Sequence, residues 1–261
     1  MDMHGRTMTK QALAPRLIDS DMGGYDMNPM TGMPFANTMR KSPKQARPPQ
    51  PIMSYMHRAE PPPSEFFFEY NFDECGLLYY LGTFGKKRNW QNPHTVGQVQ
   101  AFASSLGQAS QLEAFVGRTV QNCRTEDEPY SFFGVDLGME RRLLPTCYTL
   151  RNRKSATHVL RNWYFEGSVT GQNWVILDAR IYHSDQADRN AALELEFKDF
   201  SKCGGAMTFT IDTEIYRKLG TEGYRFFRVV QVGKNTSGTD NLTLSGIELY
   251  GRISGGPWQF M

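Results

Sequence analysis

The 261-residue sequence has few of the residues that mark membrane, metal-binding and disulfide-rich proteins. Its four cysteines and five histidines include no Cys-x-x-Cys and no His-Glu-x-x-His, which argues against a disulfide scaffold and a zinc site. No run approaches about 18 apolar residues, so no membrane-spanning helix is predicted. Lys+Arg 29 nearly balances Asp+Glu 27, and the net charge of +2 argues against binding to membranes or nucleic acid through the overall field.

Motifs of catalysis are also missing. The sequence has no phosphate-binding Walker loop, dinucleotide-binding glycine motif or Gly-x-Ser-x-Gly nucleophile turn. We interpret the cysteines as buried reduced thiols, with Cys147 at a core position of a strand. The first ten residues hold no apolar stretch of the secretory kind. We therefore expect a soluble, non-enzymatic protein that is intracellular, either cytoplasmic or cytoskeletal.

The first 64 residues differ in composition from the rest. They hold 10 of the 13 methionines and 10 of the 14 prolines, but only 3 of the 33 aromatic residues. Because proline removes backbone donors and few large side chains are present, this stretch cannot offset its ordering entropy alone. Residues 1–64 are predicted to form an extended Met/Pro-rich arm without its own core. Methionine suits irregular apolar grooves, and the candidate partner contacts are Met22, Met27, Met30, Met33, Phe35 and Tyr55.

From Glu65 onward the sequence is rich in aromatic residues and short apolar runs. Turn residues bound each run, a pattern that favours a β-sandwich or barrel. Three short helices are predicted over residues 108–115, 188–195 and 213–219, the last with Asp212 as N-cap, and a hairpin turn over residues 171–173. The predicted strands span residues 96–103, 132–136, 146–150, 163–168, 175–181, 207–211, 226–232 and 242–250.

Several phrases stand in a characteristic order. They are residues 72–83 (FDECGLLYYLGT) and 90–93 (WQNP), 122–129 (NCRTEDEP) and 132–138 (FFGVDLG), 148–151 (YTLR), 160–163 (LRNW) and 171–174 (GQNW), and 226–229 (FFRV), 233–238 (GKNTSG) and 244–251 (LSGIELYG). This order resembles the discoidin-like (F5/8 type C, galactose-binding-like) jelly rolls. The subgroup it resembles is the intracellular one of HECT-type E3 ubiquitin ligases and BTB-domain proteins.

The resemblance implies an all-β, galactose-binding-like jelly-roll β-sandwich of about eight main strands with few short helices. The sandwich would span residues 65–252, after the extended N-terminal arm and before a short C-terminal tail, residues 253–261. Asp136 would satisfy turn backbone. Arg151 and Arg161 would be buried arginines that bind carboxylates or backbone. The expected inner-face core residues are Val135, Leu137, Trp163 and Trp174.

The resemblance also implies where partners would bind. Members of the family bind through loops at one end of the sandwich, and the candidate ligand or partner residues here are Lys86, Arg88, Trp90, Arg153, Lys154 and Asn235. Some relatives hold a structural calcium ion near the first loop. Glu248 matches its carboxylate position, and Asp73 or Glu74 could complete the site. The alternative is that Glu248 pairs with a neighbouring arginine or lysine. No other cofactor is expected.

Two functional hypotheses follow. In the first, the chain is a structural or scaffolding subunit whose sandwich docks on a large protein assembly and whose arm threads through it, with a ciliary microtubule doublet in the axoneme as one location. In the second, the chain is a recognition module that binds a glycan or a peptide degron through the sandwich loops. Nucleic-acid binding is disfavoured by the low net charge and the lack of a stacking motif.

Overall fold

The computed structural model describes residues 63–181, 197–219 and 221–255. The six arm residues named above and the predicted helix 188–195 lie outside the described residues. The described strands are β1 (Glu65–Phe66), β2 (Gln100–Ala103), β3 (Phe132–Asp136), β4 (Arg141–Arg151), β5 (Trp163–Ser168), β6 (Val175–Arg180), β7 (Ala206–Thr210), β8 (Phe226–Gln231) and β9 (Gly246–Gly255). The described helices are α1 (Leu77–Gly82), a 3-10 helix (Leu112–Val116) and α2 (Glu214–Leu219).

The strands form two antiparallel sheets. One has the order β1-β9-β4-β7 and the other the order β2-β3-β8-β5-β6. The long pair β4 and β9 runs from Arg141 opposite Gly255 to Arg151 opposite Gly246, so distant parts of the sequence meet at the centre of the first sheet. The predicted all-β sandwich with few short helices is confirmed.

The core is built from aromatic rings. Trp163, Tyr148 and Phe209 are buried, and the Tyr148 ring stacks on Phe165 with centroids 4.0 Å apart. The Trp163 indole Nε1 donates to the Tyr148 hydroxyl (2.9 Å), which donates to Asp178 (2.7 Å). Aromatic side chains contribute large buried areas, and the polar atoms of Trp163 and Tyr148 are buried with hydrogen-bond partners.

Several predicted elements match the structure and others shift. Strands 132–136 and 163–168 have the predicted bounds. Strand 96–103 is confirmed only over Gln100–Ala103, because the backbone N–H groups of Gln98 and Val99 bond back to the Pro93 carbonyl in a turn. Strand 146–150 extends in both directions as β4, and Pro145 is accommodated at a register shift before Cys147.

The remaining boundaries have similar local causes. The last strand begins at Gly246, after the predicted 242, because Leu242 instead bonds to Thr125 in a neighbouring loop. The predicted cap of α2 is confirmed, since Glu214 N–H donates to Asp212 Oδ1 at 3.0 Å. Residues 108–115 form a 3-10 helix over Leu112–Val116 in place of a longer helix. Helix α1 was not predicted.

Four individual predictions were tested by side-chain burial. Val135, Leu137 and Trp163 are fully buried as expected. Trp174 is half-buried on the outer face, 4.0 Å above the Arg228 guanidinium carbon, so its assignment to the inner core was wrong.

The predicted burial of two arginines and of the cysteines is confirmed for some of these residues and wrong for others. Arg161 is exposed, whereas Arg151 is 7% exposed and bound to backbone carbonyls, so the expected burial holds for Arg151 alone. Cys123 and Cys147 are buried free thiols, and burial raises the pKa of Cys123 to about 12. Cys203, in contrast, is exposed.

Candidate functional site

Three loops meet at one end of the sandwich, here called the loop end. They are residues 104–131 between β2 and β3, residues 152–162 between β4 and β5, and residues 232–245 between β8 and β9. His158 N–H donates to the Ser237 hydroxyl at 3.0 Å, which joins the second and third loops. The Thr125 hydroxyl accepts from Leu242 N–H at 2.9 Å, which joins the 104–131 loop to the 232–245 loop.

Buried side chains fix the shape of the loop end. Asn235 is 4% exposed, and its amide nitrogen donates to the Thr239 hydroxyl and the Asn241 carbonyl. Its side-chain oxygen accepts from the N–H groups of Ser237 and Thr239. These four bonds use the amide inside its own loop, so the role of Asn235 is to hold that loop in place.

Arg151, the last residue of β4, holds the loop end in place through hydrogen bonds to backbone carbonyls. Its guanidinium donates to the carbonyls of Gly117 (2.9 Å), Arg118 (2.7 Å) and Ser245 (2.7 Å), and it lies 4.3 Å from the centre of the Phe72 ring. The 104–131 loop and the start of β9 are thereby tied to the end of β4.

Asp136 satisfies turn backbone as predicted, since it accepts from Gly138 N–H at 2.8 Å.

Three basic residues lie close together in the loops of the loop end. We call Arg124, Arg153 and His158 the cation cluster. Arg153 donates to the Thr157 hydroxyl at 2.8 Å and lies 2.9 Å from His158 Nδ1. An arginine can only donate, so Nδ1 accepts and the imidazole is neutral. His158 also has a positive φ of 60°, a conformation that is uncommon outside glycine and frequent at functional sites.

The electrostatics of the cation cluster are unfavourable in the absence of an anion. Burial and then the charges of Arg153 and Arg124 hold the pKa of His158 below its ordinary value of 6.5, and Asp127 opposes them. Burial and then the charge of Arg124 lower the pKa of Arg153. The cations therefore destabilise one another's charged forms.

Ion pairing separates the cation cluster from the other arginines of the sandwich. Arg225 pairs with Asp136 at 2.5 Å and Arg228 with Glu166 at 2.6 Å. Within the described residues, no carboxylate lies within ion-pairing distance of Arg124 or Arg153. The exposed Lys154, next to Arg153, is likewise unpaired there. The positive charges of these side chains are therefore not neutralised by an ion pair among the described residues, although Nε and Nη2 of Arg153 donate to Thr157 and His158.

The sequence-predicted residues divide between two places. Arg153, Lys154 and Asn235 belong to the loop end. The loop that contains Lys86, Arg88 and Trp90 packs on α1 and on the 3-10 helix, with Gln91 N–H bonded to the Gly82 carbonyl and the Asn92 side-chain amide bonded to the Glu113 carbonyl.

Each side chain of the 86–90 segment has a local role. Lys86 is exposed in a turn with a positive φ of 63°. Arg88 lies 4.7 Å above the Phe84 ring. Trp90 packs on α1 so closely that a Cβ at Gly82 would lie 2.7 Å from its Nε1. Arg124 and His158 were missed as site residues: Arg124 comes from a different loop, whereas His158 is only five residues from Arg153 and was close enough in the sequence to be included.

The implied calcium site can be tested on the carboxylates named for it. Asp73 accepts N–H bonds from Glu69 (2.7 Å) and Cys75 (2.8 Å). Glu248 accepts them from Leu78 (2.7 Å) and Tyr79 (3.1 Å). Calcium is bound by about six to eight oxygen atoms, whereas these carboxylate oxygens face N–H donors. The residues do not fit the ion.

The alternative expectation for this carboxylate holds instead. The Arg118 guanidinium lies 3.7 Å from Glu248. Among the described residues, no group of three or more His, Cys, Asp or Glu side chains is placed to hold a metal ion. In the same residues no helix combines the length and apolar character needed to cross a membrane.

Curated relatives match the chain, although no family model does. It is 34% identical over 197 residues to the E3 ubiquitin-protein ligase Ufd4 of Drosophila melanogaster, and 34% identical over 189 residues to the E3 ubiquitin-protein ligase hecd-1 of Caenorhabditis elegans. These matches cover 73% and 70% of this chain but 6% of each ligase. The third relative, the BTB/POZ domain-containing protein At2g30600 of Arabidopsis thaliana, is 29% identical over 211 residues, which are 77% of this chain and 24% of that protein.

Solved structures also match. One is CBM32-3 from a family 31 glycoside hydrolase of Clostridium perfringens, with a TM-score of 0.44, 13% identity, and coverage of 60% of this chain and 92% of that one. Another is a fucolectin from Morone saxatilis (striped bass) serum, with a TM-score of 0.41, 14% identity, and coverage of 59% and 46%. The curated relatives confirm the resemblance to a segment found in HECT-type ligases and a BTB-domain protein.

Proposed function

We propose that this chain, whose β-sandwich is similar to segments of HECT-type E3 ubiquitin ligases and of a BTB-domain protein, is a non-catalytic recognition module that binds an acidic peptide segment at its loop end. One observation supports the proposal above the others. Arg153 bonds to His158, and Arg124 pairs with Thr243, whose hydroxyl donates to the His158 carbonyl. Neither arginine has a carboxylate partner among the described residues, while Arg225 and Arg228 each have one.

The chemistry of the cation cluster suits a carboxylate. A guanidinium presents its N–H donors in a planar fork that binds a carboxylate through two parallel bonds. Nε and Nη2 of Arg153 already donate to Thr157 and His158, so its Nη1 and the Arg124 guanidinium are the donors that would face a ligand. Two neighbouring positive charges favour a ligand with closely spaced negative charges, such as consecutive Asp or Glu residues. The exposed Lys154 adds charge at the rim, where it would speed association more than it would strengthen binding.

The support beneath the cluster favours binding as well. Arg151 and Asn235 hold the loops through bonds to backbone groups that are present in the free chain. A ligand therefore pays little to order these loops, and preorganisation of this kind raises affinity.

The test is a titration of the full chain with a fluorescently labelled ten-residue peptide of alternating Glu and Asp, followed by anisotropy. We expect saturable binding that weakens with added salt. Arg153→Ala and Arg124→Ala should each weaken binding about tenfold, the equivalent of one lost charge-assisted bond.

Arg252→Ala is the charge-matched control, because Arg252 is an exposed arginine toward the opposite end of the sandwich, on β9. It should bind as the wild type does. Equal losses in all three variants would indicate a nonspecific charge effect and contradict the proposal. Binding to an array of neutral glycans with no binding to the acidic peptide would favour the glycan alternative.

A scaffolding role is the second candidate. It is supported by the composition of residues 1–64, where most of the methionine and proline but few aromatic residues occur. Such a segment would gain order by contact with partner proteins. Deletion of residues 1–64 should abolish co-purification with a large assembly, and unchanged co-purification would contradict this role. An intracellular location, and the ciliary doublet as the assembly, stay predictions.

A further inference from the structure

We infer that Arg118 takes the place of a bound calcium ion beside the loop of residues 67–76 between β1 and α1, called the first loop from here on, so that this loop and α1 are fixed without metal. The Arg118 guanidinium donates to the backbone carbonyls of Phe72 and Asp73, the latter at 3.1 Å. It also lies 3.7 Å from a carboxylate oxygen of Glu248. One cationic group thus contacts two carbonyls of the first loop and the carboxylate of the last strand.

The partners of this guanidinium are the kind of ligand that calcium selects. Calcium is bound by carboxylate and backbone carbonyl oxygens, and both kinds meet here at a single positive charge. A divalent ion could enter only by displacing Arg118. The rings of Tyr79 and Phe72, with centroids 4.8 Å and 6.0 Å from the guanidinium carbon, cover its faces.

The arrangement around Glu248 explains why one charge suffices. Glu248 is 2% exposed and accepts N–H bonds from Leu78, Tyr79 and Leu249. Those bonds satisfy the carboxylate oxygens, and Arg118 balances the single negative charge, as a buried carboxylate requires. The carboxylate sits so close to the start of α1 that a Cβ at Gly76 would lie 2.2 Å from its Cδ.

The contacts of Arg118 connect three distant parts of the chain. Arg118 follows the 3-10 helix, its carbonyl partners lie in the loop after β1, and Glu248 lies on β9. Arg151 donates to the Arg118 carbonyl at 2.7 Å, which holds the arginine backbone in place. Hydrogen bonds through Arg118 thereby connect the first loop to Arg151, which holds the loop end in place.

The test is the thermal unfolding of the full chain with millimolar calcium chloride or with a chelator. The Tm of the wild type should be the same in both. Arg118→Ala should lower the Tm by about 5–10 °C, and calcium should recover part of that loss, because the carbonyls of Phe72 and Asp73 then lack a partner and the charge of Glu248 lacks a counter-ion. Arg118→Lys, which keeps the charge, should lose less and show no recovery with calcium.

Two results would overturn the inference. The first is a wild-type Tm that rises with calcium or falls with the chelator, which would mean that the loop binds metal in spite of Arg118. The second is a loss in Arg118→Ala that calcium leaves unchanged, which would make Arg118 an ordinary structural contact. The wild-type measurement decides the matter even where Arg118→Ala fails to fold.

Discussion

Replacement of Arg151 by leucine should be among the most damaging single changes to the sandwich. Arg151 is 7% exposed, and its guanidinium donates to the carbonyls of Gly117, Arg118, Thr119 and Ser245. Leucine fills part of the volume but leaves these acceptors without a donor. The change therefore tests whether one buried arginine holds the loops of the loop end to β4.

The size of the effect follows from those bonds. A hydrogen bond to a charged group contributes about 1.5–3 kcal/mol, and an acceptor left buried without a partner costs about 1–3 kcal/mol. Because water can reach some of the freed carbonyls, the losses do not add fully, and we expect a total of about 3–5 kcal/mol, in the range for breaking buried charged contacts. For a domain of this size that corresponds to a fall in Tm of about 6–20 °C.

Thermal unfolding followed by circular dichroism measures the effect directly. Arg161→Leu is the matched control, because Arg161 is exposed and such substitutions change stability by about 0.5 kcal/mol or less. The reasoning would be refuted if Arg151→Leu and Arg161→Leu unfolded at the same temperature.

Three further predictions concern single side chains. Asn235→Ala removes four hydrogen bonds and should lower the free energy of unfolding by about 2 kcal/mol or more in urea titrations; an unchanged midpoint would contradict its role in the loop. Trp174→Ala should cost about 1–2 kcal/mol, since its half-buried ring packs on Arg228 and Phe102 at the outer surface, whereas Trp163→Ala in the core should cost about 3–5 kcal/mol; equal losses would restore Trp174 to the core. Burial and neighbouring arginines hold the pKa of His158 below 6.5, and a bound anion raises that pKa, so binding takes up a proton. The affinity for an acidic peptide should therefore rise as the pH falls below 6.5. His158→Gln should flatten this pH dependence, and an unchanged pH dependence in that variant would assign it to another group.

The sheets could be predicted from the sequence because their signal is local. Residues 132–136 and 163–168 are aromatic-rich runs between turn residues, and they form strands with those bounds. Helix α1 has no such signal. Its N-cap, Gly76, provides no side-chain bond, and the N–H groups of Leu78 and Tyr79 are bonded to Glu248, about 170 residues away. A helix start bonded by a distant strand leaves no trace in its own segment.

The site was predictable only in part for the same reason. The run that includes Arg153 and Lys154 is a visible cluster of charge, and the structure places it at the loop end. Arg124 comes from the loop after β2, so its proximity to the loop that holds Arg153 and His158 depends on how the two loops pack. Trp90 shows the opposite case, since a conspicuous residue in a predicted binding loop packs against Gly82 of α1.

The measurement that tests the central claim most directly is an isothermal titration with two peptides of matched length, one with consecutive glutamates and the other with glutamine at the same positions. The wild type should bind the glutamate peptide and not the glutamine peptide, because the carboxylates are what the cation cluster recognises. The double variant Arg124→Ala/Arg153→Ala should bind neither, while Arg252→Ala binds as the wild type does. Equal binding of the two peptides, or undiminished binding by the double variant, would contradict recognition of an acidic segment at the loop end.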